Sequence, residues 1–263
     1  MKKHFLIFLP VLFISLISIV GGSGCANIIP PSGGPRDSLP PLLLHADPPD
    51  STVNFKSNVI RLQFDEFVDL QDVQQNLLFT PLFEPDKVPK IAARLRTLTL
   101  TLRDTLEPNT TYTFNFGNAI KDINEGNVLH NFTYTFSTGP YLDSLTLSGK
   151  VILAETGKVD STLIVVLHKN LADSAVEKER PRYVTRLDGG GNFTFHNLPS
   201  GTFAIYALSD AGGSRRYISK TQTFAFIDKP VVVNDSTQPI TLYAYKEQAT
   251  SPPAPTTTAR TNN

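Results

Sequence analysis

Short runs that alternate apolar and polar residues most constrain what this chain can fold into. Residues 59–64 (VIRLQF) and 97–102 (TLTLTL) place every second side chain on an apolar face, and 112–116 (YTFNF) and 132–136 (FTYTF) repeat the pattern with aromatic residues. A period of two with β-branched and aromatic residues is typical of half-buried antiparallel strands. Clusters of Pro, Asn, Asp and Gly separate the runs. The pattern predicts a β-sandwich.

After residue 140 the apolar runs become longer. Residues 147–153 (LSGKVIL) precede 162–169 (TLIVVLHK), a continuous apolar run that predicts a strand covered on both faces. Residues 183–210 contain further strands separated by a Gly-rich loop and a tight turn. The last strands are predicted at 222–227, 231–233 and 240–245. The chain is therefore predicted to be all-β, with two tandem antiparallel β-sandwich domains.

Composition sets the domain boundaries. Lys2 and Lys3 precede an apolar run that is shorter than the ~20 residues of a bilayer span and matches the h-region of a signal peptide. A tail rich in Pro and Thr cannot bury enough apolar surface to order itself. The predicted organisation is a signal peptide at 1–24, a Pro/Gly-rich tether at 25–39, sandwich domains at 40–139 and 140–246, and a disordered tail at 247–263.

The only cysteine, Cys25, follows Gly22-Ser23-Gly24 directly after this apolar run. The segment resembles the lipobox of bacterial lipoproteins, although Gly22 stands where that motif has a branched apolar residue. The resemblance implies that the Cys25 thiol carries lipid and becomes the mature N-terminus. Several acyl chains would then hold the protein on the membrane. The alternative is ordinary cleavage that leaves a spare thiol. One cysteine excludes an internal disulfide.

Ordered motifs carry a second resemblance. They are 39–41 (LPP), 47–51 (DPPDS), 64–69 (FDEFVD), 106–112 (LEPNTTY) and 132–139 (FTYTFSTG). Together they resemble the bacterial Ig-like domain of the S-layer-protein SbsA type, in its version from Bacteroidetes lipoproteins. In that version a Pro-Ser/Thr-Gly-Gly-Pro segment, here 31–35, follows the lipidated Cys. The resemblance covers residues 25–139 and implies an Ig-like fold, envelope placement and no assigned catalysis.

The C-terminal region is similar to the transthyretin-like or carboxypeptidase-regulatory-like sandwich. The similarity lies in Gly149-Lys150-Val151 as the opening strand and in the strand, loop and turn pattern of 183–210. It implies a second β-sandwich.

Charge and motifs exclude several function classes. The 24 Lys and Arg residues balance 24 Asp and Glu residues, so no footprint for nucleic acid appears. No G-x-S-x-G motif occurs, and the glycines at 189–191 lack the Lys of a phosphate loop. The histidines, at 4, 45, 130, 168 and 196, show no metal-ligand spacing and are expected in strands or at their edges. We expect no catalytic residue and no cofactor.

The segment 122–127 (DINEGN) carries oxygen-bearing side chains at alternate positions, as calcium loops do. Asp122 and Asn124 are its weak metal candidates. The position where an EF-hand has an acid is Thr133 here, and Asn and Gly also serve left-handed turn geometry. An enzyme would require a cleft that joins Asp65 and Glu66 with Asp122 and Glu125.

An Asp followed by Ser or Thr and then a small or apolar residue recurs more often than composition predicts. The pattern resembles the O-glycosylation motif of Bacteroidetes envelope proteins. The alternative is that Asp, Ser and Thr form turns at these positions. The candidate acceptors are Ser38, Ser51, Thr105, Ser144, Ser161, Ser174 and Ser236.

The sequence predicts a non-catalytic, lipid-anchored cell-envelope protein with a structural or protein-interaction role. Its partners would be the membrane, through the N-terminal lipid, and envelope proteins or glycans. The alternative is a glycan-binding or adhesion module at the cell surface, which the absence of Trp disfavours. In the lipoproteins that this chain resembles, acidic residues directly after the lipidated Cys direct export to the cell surface. Residues 26–29 (ANII) carry no acid, so the resemblance implies the periplasmic side of the outer membrane.

Overall fold

A computed structural model describes residues 34–103 and 106–247, and these are built almost entirely from strands. The strands are β1 (Leu43–Asp47), β2 (Val59–Phe64), β3 (Val68–Leu70), β4 (Leu78–Thr80), β5 (Lys90–Arg94), β6 (Thr97–Thr101), β7 (Thr111–Gly117), β8 (Ile120–Asp122), β9 (Val128–Leu129), β10 (Phe132–Ser137), β11 (Leu145–Leu153), β12 (Leu163–His168), β13 (Tyr183–Arg186), β14 (Asn192–Leu198), β15 (Gly201–Ser209), β16 (Phe224–Phe226), β17 (Val231–Val233) and β18 (Ile240–Ala244). The helices in these ranges are the short α1 (Val73–Asn76) and α2 (Ala175–Lys178), and neither is long enough to cross a membrane.

The predicted signal peptide, Cys25 and most of the tether and tail lie outside the described residues. Residues 38–247 belong to one compact unit. The sheets built from β1–β10 are called the N-terminal sheets, and those built from β11–β18 are called the C-terminal sheets.

The four alternating runs form β2, β6, β7 and β10, each within one residue of its predicted bounds. Leu98 and Leu100 of β6 are fully buried, while Thr97 and Thr99 beside them are half-buried. A strand whose alternate side chains are apolar can bury one face while the other meets solvent. The period of two was therefore sufficient to place these strands.

The N-terminal sheets enclose an aromatic core. One sheet has the order β1-β2-β6-β5 and another has the order β10-β7-β4, and both are antiparallel. Phe114 lies in the core with its ring centroid 5.0 Å from that of Phe79 and 5.5 Å from that of Phe136. Both pairs have edge-to-face geometry, which favours aromatic packing beyond the area buried. A third, smaller antiparallel sheet, β3-β8-β9, lies beside them.

A buried tyrosine ties the turn after β1 to β10. Tyr134 is fully buried, and its hydroxyl donates a hydrogen bond of 2.8 Å to the carbonyl of Pro48. Next to it, the carboxylate of Asp50 accepts the backbone N–H of Thr135 at 2.7 Å. Burial raises the pKa of Tyr134, and the nearby charge of Asp50 raises it further. The hydroxyl therefore stays a neutral donor, and the turn is held by side chains.

We expect Tyr134→Phe to lower the free energy of unfolding by about 1–2 kcal/mol, because it leaves a carbonyl near the core with one partner fewer. The matched control is Tyr141→Phe, which removes a hydroxyl from a side chain that is 62% exposed. Urea unfolding of both variants measures the difference. Equal stability of the two variants would show that the Tyr134 hydrogen bond contributes nothing.

The C-terminal sheets enclose a second core. One sheet has the order β14-β11-β18, and the other has the order β13-β12-β15-β16 with β17 also paired to β15. The ladder between β11 and β18 is parallel, whereas the sequence predicts antiparallel sheets throughout. Gly149 makes this pairing possible: a Cβ at this position would lie 2.1 Å from the Ile240 carbonyl oxygen and 2.6 Å from the Phe193 ring. The strand approaches its neighbours too closely for any side chain.

The prediction that 162–169 is covered on both faces is confirmed. Val165 and Leu167 of β12 lie in the core between the C-terminal sheets. Val166, between them in sequence, lies in a third hydrophobic cluster on the opposite face of the same sheet. A strand buried on both faces needs no polar alternation, which explains its continuous apolar sequence.

The third cluster joins the two sets of sheets. Leu78 of β4 packs in it together with Val166, Val184 and Tyr206 from the C-terminal sheets. The predicted domain boundary at residue 139 lies between β10 and β11, and this shared cluster spans it.

Polar contacts reinforce the junction. The guanidinium group of Arg182 forms a two-pronged ion pair with the carboxylate of Glu107, with Nη2 2.7 Å from Oε2. The backbone N–H of Leu82 donates to the carbonyl of Arg182 at 3.0 Å. The side-chain amide of Asn197 donates to the hydroxyl of Thr113 at 2.9 Å. The two sets of sheets are therefore connected by packing, an ion pair and hydrogen bonds.

Candidate functional site

Three acidic side chains meet where β3 pairs with β8. Glu66 precedes β3, Asp122 ends β8 and Glu125 lies in the turn that follows, and each offers a carboxylate oxygen within 4.8 Å of the other two. The antiparallel register places Val68 opposite Asp122, which brings the segment before β3 to the turn after β8. Residues more than fifty positions apart in the sequence thereby form one acidic cluster.

Asp122 is fully buried and holds the turn by its side chain. Its Oδ1 accepts the backbone N–H groups of Glu125 at 2.6 Å and Gly126 at 3.0 Å, and its Oδ2 accepts that of Asn127 at 2.6 Å. Burial by itself would raise the pKa of Asp122, but these N–H groups together hold it below its ordinary value. Gly126 has φ +81°, a conformation that favours glycine. The carboxylate therefore organises the loop from inside.

The cluster has the hard oxygen donors that calcium prefers. The structure places Asp122, one of the two predicted metal candidates, in the cluster. The other, Asn124, also donates its backbone N–H toward the Asp122 carboxylate. Both oxygens of Asp122 already accept backbone N–H groups. These hydrogen bonds are sufficient to explain an acid at this position, as a residue that forms the turn. A metal at Asp122 and Asn124 stays a prediction.

Of the acids that an enzyme cleft would require, the structure brings together three. Asp65 has a different role, because its Oδ1 accepts the backbone N–H of Leu42 at 2.7 Å and so fixes the start of β1. Within the described residues no histidine belongs to the cluster of Glu66, Asp122 and Glu125. The arrangement brings three carboxylates together, whereas nucleophilic catalysis also needs a nucleophile held by a base.

We expect Asp122→Asn to lower the free energy of unfolding by about 1–3 kcal/mol, because an amide replaces one accepting oxygen with a donor that faces the Asn127 N–H. The control is Asp86→Asn, a change of the same kind at an exposed turn. Thermal unfolding at neutral pH compares the two. Added Ca²⁺ is expected to leave the melting temperature of the unmutated protein unchanged. A Ca²⁺-dependent rise that Glu125→Gln abolishes would instead assign the cluster to metal binding.

The described candidate acceptors for glycosylation all lie on the surface outside strands. They are Ser38, Ser51, Ser144, Ser161, Ser174 and Ser236. Thr105 and Cys25 lie outside the described residues. Some of the aspartates in the motif also build turns: Asp160 accepts both the backbone N–H of Thr162 at 3.0 Å and its hydroxyl at 2.6 Å. Both interpretations of the motif therefore stay open.

His168 is a buried titratable group that the sequence expects only as a strand residue. It ends β12 and is 1% exposed, with its ring edge-to-face against Tyr206 at 5.8 Å between centroids. No described residue accepts or donates a hydrogen bond at its Nε2. Burial lowers the pKa of His168, and the charge of Glu179 opposes this only in part. The surroundings of His168 therefore favour the neutral imidazole over the charged one.

The lowered pKa of His168 makes stability depend on pH. The imidazole of His168 has its ordinary pKa of about 6.5 in the unfolded chain and a lower pKa in the folded chain. Below pH of about 6.5 the unfolded chain therefore binds a proton more readily, so the free energy of unfolding decreases as pH falls through this range. We expect His168→Phe to reduce this loss between pH of about 7.5 and about 5.5, whereas His196→Phe, at an exposed position, should leave it unchanged. Urea unfolding at both pH values is the measurement. An identical pH dependence in all three proteins would contradict the assignment.

The N-terminal sheets match a known family of protein domains. Residues 37–138 match the bacterial Ig-like domain family. Among solved structures, the N-terminal part of the bacterial S-layer protein SbsC is 20% identical over 75% of this chain and 43% of that chain, with a TM-score of 0.25. The major pilin subunit BcpA of Bacillus cereus is 10% identical over 75% of this chain and 67% of that chain, with a TM-score of 0.26. This chain spans less than half of the SbsC chain.

Comparison with curated proteins gave no significant match. The transthyretin-like resemblance of residues 140–246 stays a prediction. The all-β fold and the Ig-like domain in the N-terminal sheets, both predicted from the sequence, are confirmed.

Proposed function

We propose that this chain is a non-catalytic, lipid-anchored protein of a bacterial cell envelope, with a structural or protein-interaction role. The observation that carries the proposal is the Ig-like domain at 37–138, which in the sequence follows a signal-peptide pattern and Cys25. A fold of this kind hosts many functions, so the role of this protein must be argued from its exposed surfaces and from its location in the cell. The acidic cluster, with Asp122 engaged in its own loop, supports a non-catalytic role.

The surface beside β1 suits a protein partner. β1 lies at the edge of its sheet, with β2 as its neighbour in the ladder. Leu42 and Leu44 at this edge are 62% and 59% exposed. Among the described strands only β2 pairs with β1, and an edge of this kind, flanked by apolar side chains, can accept a strand from another chain through backbone hydrogen bonds. The same edge follows the tether, so a partner there would bind close to the membrane.

The joined sheets support a structural role. Leu78 and the pair Arg182–Glu107 connect the N-terminal and C-terminal sheets, so a load on one set passes to the other through packed side chains. We place the protein at the outer membrane, on its periplasmic side, because residues 26–29 carry no acid after Cys25. Protease treatment of intact cells tests this orientation.

Replacing Cys25 with Ser removes the proposed acylation site. We expect the variant to leave the membrane fraction and to lose the mass of the acyl chains, because several buried chains provide stable attachment where protein charge provides little. Fractionation and intact mass of protein from its native host are the measurements. Thr110→Ser, a change in a loop of the described residues, is the control.

Membrane attachment and mass that do not change in the Cys25→Ser variant would contradict the lipid anchor. The same intact mass reports sugar on the Asp-Ser/Thr acceptors. Crosslinking and affinity capture from native membranes then separate a protein partner from a glycan, which is the alternative role.

A further inference from the structure

Two neighbouring clefts lie where the N-terminal and C-terminal sheets meet. One, of about 500 Å³, has apolar walls that include Phe83 and Ile91, and Arg180 also lines it. The other, of about 830 Å³, is more polar and contains Arg186. Arg215 lines both clefts. The two clefts share Arg215 as a wall, and together, as one recess in the sense used below, they are lined by three arginines.

Of the three arginines, Arg180 and Arg215 are half-buried and Arg186 is exposed. Among the described residues none of them forms a salt bridge, in contrast to Arg182, which is paired with Glu107. Arg186 Nη1 reaches the carbonyl of Asn76 at the long distance of 3.5 Å. The Nε of Arg180 is buried, and no described group accepts its hydrogen, which is also true of the Nε of the paired Arg182. Buried donors without acceptors are uncommon in folded proteins, and the Nε of Arg180 can therefore still donate to an acceptor that enters the cleft.

The charges of the recess do not balance. Burial lowers the pKa of Arg215, the positive charges of Arg180 and Arg186 lower it further, and the carboxylate of Asp210 opposes them. Three guanidinium groups thus stand against one acid among the charges that act on Arg215. Like charges at partly buried positions repel one another more strongly than in water. A ligand with two negative charges would balance the set.

The loop that carries Arg215 is fixed before any ligand binds. Arg215 has φ +56°, a left-handed conformation that is uncommon for residues other than glycine. The carboxylate of Asp210 accepts its backbone N–H at 2.9 Å. The side-chain amide of Gln222 donates to the carbonyl of Arg216 at 3.1 Å, and the N–H of Tyr217 donates to the carbonyl of Val176 at 3.0 Å. Strained backbone held by its surroundings is frequent at binding sites.

We propose that this recess binds an oxyanion with two negative charges, such as a phosphate group, between Arg180, Arg186 and Arg215. The planar guanidinium group presents paired N–H donors that match the oxygens of phosphate or carboxylate. Gln74, Ser161 and Thr162 line the polar cleft and supply neutral hydrogen-bonding groups. The apolar walls of the neighbouring cleft would receive the rest of a larger ligand.

The test uses the full chain, purified in detergent, and measures binding by isothermal titration calorimetry. Ionic strength is kept constant and the pH is about 7.5, where a phosphate group is mostly doubly charged. The probes are inorganic phosphate, sulfate and succinate, and chloride is the singly charged control. We expect saturable binding of at least one dianion and none of chloride. Binding of phosphate and sulfate without succinate assigns tetrahedral oxyanions, and binding of all three assigns oxyanions in general. Both outcomes support the proposal, and no binding of any dianion overturns it.

Two neighbouring arginines provide a matched pair of variants. Arg215→Gln and Arg216→Gln each remove one charge from the same loop, but only Arg215 lines the recess. We expect Arg215→Gln to weaken binding about tenfold or more and Arg216→Gln to leave it within about twofold, since a charged hydrogen bond contributes more than the distant field of a surface charge. Equal weakening by both variants would show general attraction to positive charge and overturn the site.

A double variant and unfolding curves distinguish a loss of binding from a loss of folding. Arg180→Gln with Arg186→Gln removes two of the three cations without changing the left-handed position at Arg215, and this double variant should also lose binding. Unfolding curves of each variant without ligand establish that it is folded. The proposal does not depend on the lipid anchor, because Cys25→Ser leaves the recess intact and should bind the same anion.

Discussion

Burial of β12 on both faces is the constraint on which the rest of the architecture depends. Val165 and Leu167 face the core between the C-terminal sheets, and Val166 faces the cluster that also contains Leu78. Burying a Val or Leu side chain contributes about 1.5–3 kcal/mol each, so leaving the outer face in water would forfeit a sizeable part of a typical domain's stability. The N-terminal sheets cover that face. The N-terminal and C-terminal sheets therefore depend on each other to bury their apolar side chains.

Side chains that accept or donate to the backbone hold the connections between strands. Asp50, Asp122 and Asp188 each accept at least one backbone N–H, and for Asp188 these are the N–H groups of Gly190 and Asn192, both at 2.8 Å. Tyr134 supplies a hydroxyl from the core to the turn after β1. A chain with one cysteine has no internal disulfide to fix its turns. Charged acceptors provide the local restraint instead, since a hydrogen bond to a carboxylate is stronger than one to a neutral group.

The structure could be predicted from the sequence where the residue pattern of a single strand decides which of its faces is buried. The alternation in 59–64 and 97–102 predicts strand, face and burial together, because an apolar period of two matches the geometry of a strand and not that of a helix. The parallel pairing of β11 with β18 could not be predicted in this way, because strand direction depends on how the chain returns to a sheet. The meeting of Glu66 with Asp122 and Glu125 likewise depends on the register between β3 and β8. Both β3 and β8 are only three residues long, too short to show a period.

The arginine recess could not be predicted from local sequence patterns. Arg180 lies just before β13, Arg186 ends that strand, and Arg215 lies in a loop beyond β15 that shows no periodic pattern. Only the docking of the N-terminal sheets closes the recess, because Gln74 and Leu82 come from α1 and the segment after β4. The packing that hides the outer face of β12 therefore also creates the concave, positively charged surface beside it. A structural junction and a binding surface share one origin here, so a change that loosens Leu78 from its cluster would also alter the geometry around Arg186 and Arg215.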